Sequence, residues 1–232
     1  MTTDKKVLPK HLGIILDGNR RWAKARGLPT LEGHRRGAET FKTTVLAAFD
    51  QGIEYVSAFA FSTENWQRTE EEVGYLMKLL VKAVEKHLNT FDKAGIKIVV
   101  LGRREQLSTP VLKAIEKAEQ KTVDNTRGTL ALCFNYGGQE ELVDAVKTIV
   151  ASGVAVEDIT RDTIQNALYY PEVPGADLII RTSGEYRTSG FMLYRSDYAE
   201  LYFSDLYWPD FDETELNKAL SEYSNRKRRF GK

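Results

Sequence analysis

The sequence predicts an α/β domain, a mainly parallel sheet with helices on both faces. Short apolar runs alternate with longer segments of helical period along the chain. Several of these runs are apolar on consecutive residues, as strands covered on both faces should be. The 232 residues contain no internal repeat or low-complexity linker. At roughly 100–200 residues per domain, they suit a single unit spanning 1–232.

The elements follow in order. The first strand, 12–16, runs into Asp17-Gly18-Asn19-Arg20-Arg21-Trp22. A helix over 35–51 is stopped by Gly52. The second strand, 55–61, runs into Ser62-Thr63-Glu64-Asn65-Trp66-Gln67-Arg68. The helix over 70–94 places Val73, Leu76, Met77, Leu80, Val84, Leu88 and Phe91 at three- and four-residue steps, and Gly95 ends it. That stripe reads as ordinary core or as the wall of an apolar ligand site, and periodicity does not choose. A third strand over 96–101, a helix over 109–123 and a fourth strand over 130–134 come next. The fourth strand runs into Asn135-Tyr136-Gly137-Gly138, followed by a helix over 139–150. The fifth strand, 178–180, runs into Arg181-Thr182-Ser183-Gly184-Glu185, and 201–203 is the sixth.

In open α/β sheets, ligands bind beyond the carboxyl ends of the strands. Four strands here end in turns that carry polar, arginine or glycine residues. Asp17-Gly18-Asn19 suits a tight turn whose backbone N–H groups face an anion. Arg20, Arg21, His34, Arg35, Arg36, Arg68, Arg181 and Arg187 surround these turns, and guanidinium groups match phosphate oxygens bidentately. Each loop read singly is equally a turn with solvated arginines; their convergence on one sheet edge favours phosphate. Asp17 and Glu200 are candidate Mg²⁺ ligands, since hard carboxylate oxygens with substrate phosphates suit that ion. Glu200 read alone is a surface carboxylate. Phosphate-binding arginines beside a long apolar helix suggest an amphiphilic substrate, a diphosphate joined to a hydrocarbon.

Other classes are excluded. Lys plus Arg equals Asp plus Glu at 33 each, which argues against a nucleic-acid binder. A single cysteine, Cys133, makes neither an intrachain disulfide nor a cysteine-based zinc site. No P-loop, dinucleotide fingerprint or hydrolase elbow occurs. The polar first ten residues and the lack of a run near ~20 apolar residues predict a cytoplasmic protein.

The chain also resembles the cis-prenyltransferases, the undecaprenyl diphosphate synthase family. The resemblance is carried by 11–22, Gly33-His34-Arg35, Phe61-Ser62-Thr63-Glu64-Asn65-Trp66, Asn135-Tyr136-Gly137-Gly138, 181–185, 198–203, Trp208-Pro209-Asp210-Phe211 and Arg228-Arg229-Phe230-Gly231. It implies a six-stranded parallel sheet surrounded by helices over a hydrophobic tunnel, and a homodimer. It also implies Mg²⁺-dependent condensation of an allylic diphosphate with isopentenyl diphosphate. Asp17 would serve the metal and the leaving diphosphate, with Glu200 completing the metal site. Gly18, Asn19, Arg20, Arg21, Trp22 and His34 would hold the allylic substrate. Phe61, Ser62, Asn65, Trp66 and Arg68 would position the reacting groups, with Asp17, Ser62 and Asn65 as catalytic residues. Arg181, Arg187 and Ser189 would grip the second diphosphate, and Arg229 would reach it across the dimer. A long product would bring transient membrane contact. Tyr75, Met77, Phe134 and Tyr136 are candidates for the tunnel floor.

The departures from the family pattern cluster. Gly190-Phe191-Met192-Leu193-Tyr194-Arg195 stands where the family has Asn-Phe-Leu-Leu-Trp-Gln, Thr30 stands where many members have arginine, and Gln139 replaces a frequent arginine. Thr30 calls one allylic-phosphate contact into question, and the 190–195 stretch, which follows the second-diphosphate motif, reads as neutral drift or as a reshaped acceptor site. The latter would suit irregular head-to-middle coupling of dimethylallyl units to a lavandulyl-type diphosphate. A non-catalytic partner subunit is the remaining alternative, against which stand the intact Asp17, Asn19, Arg21, His34, Asn65 and Glu200.

Overall fold

A computed structural model describes residues 7–226. Six strands form one sheet: β1 (His11–Ile15), β2 (Tyr55–Ser62), β3 (Ile96–Leu101), β4 (Gly128–Tyr136), β5 (Leu178–Arg181) and β6 (Glu200–Phe203). Their spatial order is β3-β4-β2-β1-β5-β6, and every pairing is parallel. The helices are α1 (Asn19–Ala25), α2 (Thr30–Asp50), α3 (Glu70–Lys93), α4 (Thr109–Lys121), α5 (Gly138–Ala151), α6 (Arg161–Ala167) and α7 (Glu213–Asn225). From β1 the chain moves to β2 on one side, and it later returns to β5 on the other. The carboxyl ends of β1 and β5 therefore flank the reversal point, where such sheets open a ligand crevice.

Alternation along the strands divides the core in two. Leu12, Ile14, Val56, Ile98, Leu130 and Ile180 meet Val45 and Phe49 of α2 and Leu88 and Phe91 of α3. The other parity, with Ile15, Val99, Leu101, Ala131, Cys133 and Ile179, packs on Phe191 and Met192. β1 is buried at all five positions, as an unbroken apolar central strand requires.

Three features depart from the sequence reading. The segment after Gly18 is the short helix α1 rather than a turn alone. Helix α2 begins at Thr30, not at 35, and runs through Gly33, so His34 and Arg35 are helical. Helices α6 and α7 were not anticipated; α7 nevertheless buries Leu216, Ala219, Leu220 and Tyr223 at helical spacing. No helix among the described residues is long and apolar enough to cross a membrane.

Candidate active site

Asp17 follows β1 and Arg181 ends β5, so the parallel register sets them side by side. Arg181 Nη2 donates to Asp17 Oδ2 at 2.8 Å, and Arg21 Nη2 lies 3.2 Å from Asp17 Oδ1. Arg21 Nη1 continues to Glu185 Oε1 at 2.7 Å. Gly18 makes the turn between β1 and α1 with φ of 106°, and a Cβ there would lie 2.8 Å from Ser183 Oγ. Only glycine adopts that conformation at low cost. Arg181 is buried and organises the following loop, donating from Nη1 to the Arg187 carbonyl at 2.6 Å and to Ser189 Oγ at 2.9 Å. Arg187 is exposed and pairs with Glu185. Hydrogen bonds from Arg187 and then Arg21 hold the Glu185 carboxyl below its ordinary range. Asn19 Oδ1, Arg181 Nε and Ser183 Oγ are buried without a hydrogen-bond partner.

A second cluster forms where β2 passes into α3. Asn65 Oδ1 accepts from the Ser62 N–H at 3.2 Å, and Ser62 Oγ accepts from the Asn65 N–H in return. This reciprocal cap fixes the 3₁₀ turn Thr63–Gln67. Trp66 packs edge-on against Phe61 and donates from Nε1 to Asn135 Oδ1 at 2.8 Å. Arg68 and His34 both meet the buried Glu72, at 2.9 and 3.1 Å. Burial lowers the His34 pKa, and Glu72 pulls it partly back.

Both clusters open onto one cavity of about 1180 Å³. Gly18, Asn19, Arg20, Arg21, His34, Ser62, Asn65, Arg68, Arg181 and Ser189 line it with Asp17. Its interior is apolar, walled by Leu76, Leu80, Val84 and Phe91 of α3 and closed by Ile98, Leu130 and Phe134 of the sheet. The α3 stripe is therefore a cavity wall as well as core. Of the four floor candidates, Phe134 lines the cavity. Tyr136 does not, because Asn135 takes a φ of 52° and Tyr136 packs on the opposite face of the sheet.

Several sequence-predicted residues stand behind the cavity rather than in it. Trp22 donates to Asp210 Oδ1 at 2.7 Å, with the Arg26 guanidinium 4.5 Å from its ring centroid. Phe61, Trp66 and Arg187 likewise do not line the cavity. Glu200 requires a correction. It opens β6, opposite Leu178 at the start of β5, whereas Asp17 follows the end of β1. In a wholly parallel sheet those are opposite edges, so one chain does not bring the two carboxylates to one ion. Glu200 accepts from Arg226 Nη1 at 2.7 Å instead. Arg229 lies outside the described residues. Among those residues no cluster of three potential metal ligands occurs.

The departures separate as well. Thr30, Gln139 and Gly190 line the cavity; Gly190 takes a φ of 74° that the family's asparagine would adopt at greater cost. Arg195 does not line it. Fully buried, it pairs with Glu141 at 2.8 Å and donates to the Tyr169 carbonyl at 2.6 Å. Sequence reasoning missed Glu72 as a site residue, because a glutamate in the first turn of a helix is ordinary there.

The family model described as "Putative undecaprenyl diphosphate synthase" matches residues 15–231. The chain belongs to this prenyltransferase family. It is similar to an isoprenyl transferase of Thermotoga maritima, 47% identical over 97% of each chain. It is also similar to the crystal structure of lavandulyl diphosphate synthase from Lavandula x intermedia in complex with dimethylallyl diphosphate. That likeness has a TM-score of 0.94 and 32% identity, covering 98% of this chain and 100% of the other. A probable undecaprenyl diphosphate synthase from Campylobacter jejuni matches with a TM-score of 0.82 and 28% identity, covering 98% of this chain and 100% of the other. The prenyltransferase fold and the enzyme class expected from the sequence are thus both found.

Proposed function

We propose that this prenyltransferase condenses an allylic prenyl diphosphate with isopentenyl diphosphate and elongates the chain in five-carbon steps. The observation that carries this reading is the cavity, with a rim of arginines, histidine and carboxylate leading into an apolar interior of about 1180 Å³. That exceeds the roughly 300–1,000 Å³ of sites for drug-sized ligands, and a ten-carbon product would leave much of it empty.

In this reading Gly18, Asn19, Arg20 and Arg21 hold the allylic diphosphate. The C–O bond breaks as negative charge grows on the diphosphate, which Arg21, Arg68 and His34 stabilise from fixed positions. The alkene electrons form the new carbon–carbon bond, and the proton leaves to a diphosphate oxygen. The apolar walls keep water from the allylic cation. Arg181, Arg187 and Ser189 serve the second diphosphate. Asp17 is half-buried at the cavity rim, a hard carboxylate that fits Mg²⁺ with substrate oxygens and water completing the shell. When bound, the ion neutralises charge on the leaving diphosphate. The active form in this reading is a cytoplasmic homodimer.

Lavandulyl-type coupling of two dimethylallyl units is the second reading, favoured by the 0.94 TM-score to the lavandulyl enzyme and by Gly190 on the cavity wall. Mass analysis of products from labelled isopentenyl and dimethylallyl diphosphates, offered separately and together, separates the two. Elongation predicts products only when isopentenyl diphosphate is present, growing in five-carbon steps. A branched ten-carbon diphosphate from dimethylallyl diphosphate alone would establish the irregular reaction instead.

A further inference from the structure

Glu72 is buried behind the rim of the cavity and does not line it. It is the third residue of α3, three after the capping residue Thr69, whose Oγ1 accepts from the Glu72 N–H at 3.3 Å. That spacing is the signature of a reciprocal helix cap, in which the glutamate returns to the capping residue's own N–H. Here the carboxylate turns inward. Oε1 accepts from Arg68 Nη1 at 2.9 Å and meets His34 Nε2 at 3.1 Å, and Oε2 lies 3.8 Å from Arg20 Nε.

The three partners come from α1, from the end of the turn after β2, and from α2. All three line the cavity, and among the described residues Glu72 joins them. The Arg20 side chain is 60% exposed and that of Arg68 27%, against 9% for Glu72. A buried carboxylate thus neutralises, from the rear, cations whose fronts face the ligand space. A diphosphate entering that space would compete for the same guanidinium groups.

We propose that Glu72 is a positioning residue that holds Arg20, Arg68 and His34 as one preorganised set and competes with the substrate diphosphate for the charge of the two arginines. The inference rests on the prenyl diphosphate reading above and adds a residue to it. Removing the charge while keeping the shape strengthens the rim's hold on an anion; keeping the charge while shortening its reach loosens the set.

The test measures the binding of inorganic diphosphate by calorimetry and steady-state kinetics of prenyl transfer, on the full-length chain. Glu72→Gln is expected to bind inorganic diphosphate about five- to tenfold more tightly, the effect of one partly screened charge. Glu72→Asp is expected to keep the wild-type affinity within about twofold while kcat falls about tenfold or more, with KM little changed, because misplacement of positioned groups costs rate. A Glu72→Gln protein with a wild-type melting profile and unchanged or weaker diphosphate affinity overturns the proposal. If that variant does not fold, Glu72→Asp decides: wild-type kcat overturns the proposal, and a loss in kcat at constant affinity supports it. Wild-type protein that binds diphosphate but makes no prenyl product would refute the prenyl-transfer reading, while the diphosphate affinities would still judge Glu72.

Discussion

The two faces of the sheet each bury a glutamate from the first turn of a helix, and the two glutamates meet different fates. On the cavity face, Glu72 of α3 gathers Arg20, Arg68 and His34, whose other sides face open space. On the opposite face, Glu141 of α5 gathers Arg195, the Tyr136 hydroxyl at 2.6 Å and the Tyr169 N–H at 3.2 Å. There both ionic side chains are almost wholly buried, at 0% and 1% exposure. Charge in contact with a solvated cavity is exchangeable, because an incoming anion replaces the carboxylate. Sealed charge is not, because no water or ligand stands ready to replace a lost partner. The same residue type therefore serves ligand binding on one face and architecture on the other. The buried histidines divide similarly. His34 has an ionic partner and a cavity wall; His11 has the Pro174 carbonyl and Ser57 Oγ, each at 2.8 Å.

The largest expected effect is on the sealed face. Arg195→Met leaves Glu141 charged, buried and unpaired, and should cost about 3–5 kcal/mol of stability by denaturant titration. Replacing Glu141 by Leu in the same protein should recover most of that loss, since the apolar pair no longer carries an isolated charge. A single variant that melts like wild type would erase the contrast between the faces.

The cavity face should respond in rate rather than in stability. Asp17→Ala is expected to lose about 10²–10³-fold in kcat, as for removal of a principal electrostatic group, with a folded structure by circular dichroism. Near-normal turnover would remove Asp17 from its assigned role.

The third effect is linked to pH. Desolvation by burial lowers the His11 pKa from 6.5 to about 4. The unfolded chain therefore takes up the proton first as the pH falls. His11 contributes stability that is complete above about pH 6.5 and lost progressively toward pH 4, at most about 3 kcal/mol. Stability curves of wild type and His11→Asn between those limits test this. The variant, whatever its absolute stability, should show a shallower decline, and parallel curves would place the acid sensitivity elsewhere.

Much of this architecture was legible in the chain. Short apolar runs marked all six strands, several of them unbroken because a strand covered on both faces has no polar side. Strand ends rich in glycine, arginine and asparagine marked the site because ligands bind at the carboxyl edge of such sheets. The helix α1 was hidden, since Asp17-Gly18-Asn19 reads as a turn and the helix, seven residues beginning at Asn19, is too short to show a period. The end of the sheet that a residue occupies was also beyond local reading. Glu200 and Asp17 both sit at strand termini, and only the parallel pairing showed that these termini lie on opposite edges.

By itself, the sequence determined the strands, the long apolar helix and the cationic turns, because local periodicity and turn chemistry depend on neighbours in the chain. Tertiary structure decided which charges meet. It turned Glu72 away from its helix cap toward two arginines and a histidine, sealed Arg195 against Glu141, and left the α3 stripe facing open space as well as packed core. Apart from the local Arg68–Glu72 pair, those outcomes depend on partners 38 to 54 residues apart in sequence, and on how much water each fold environment leaves around a charge.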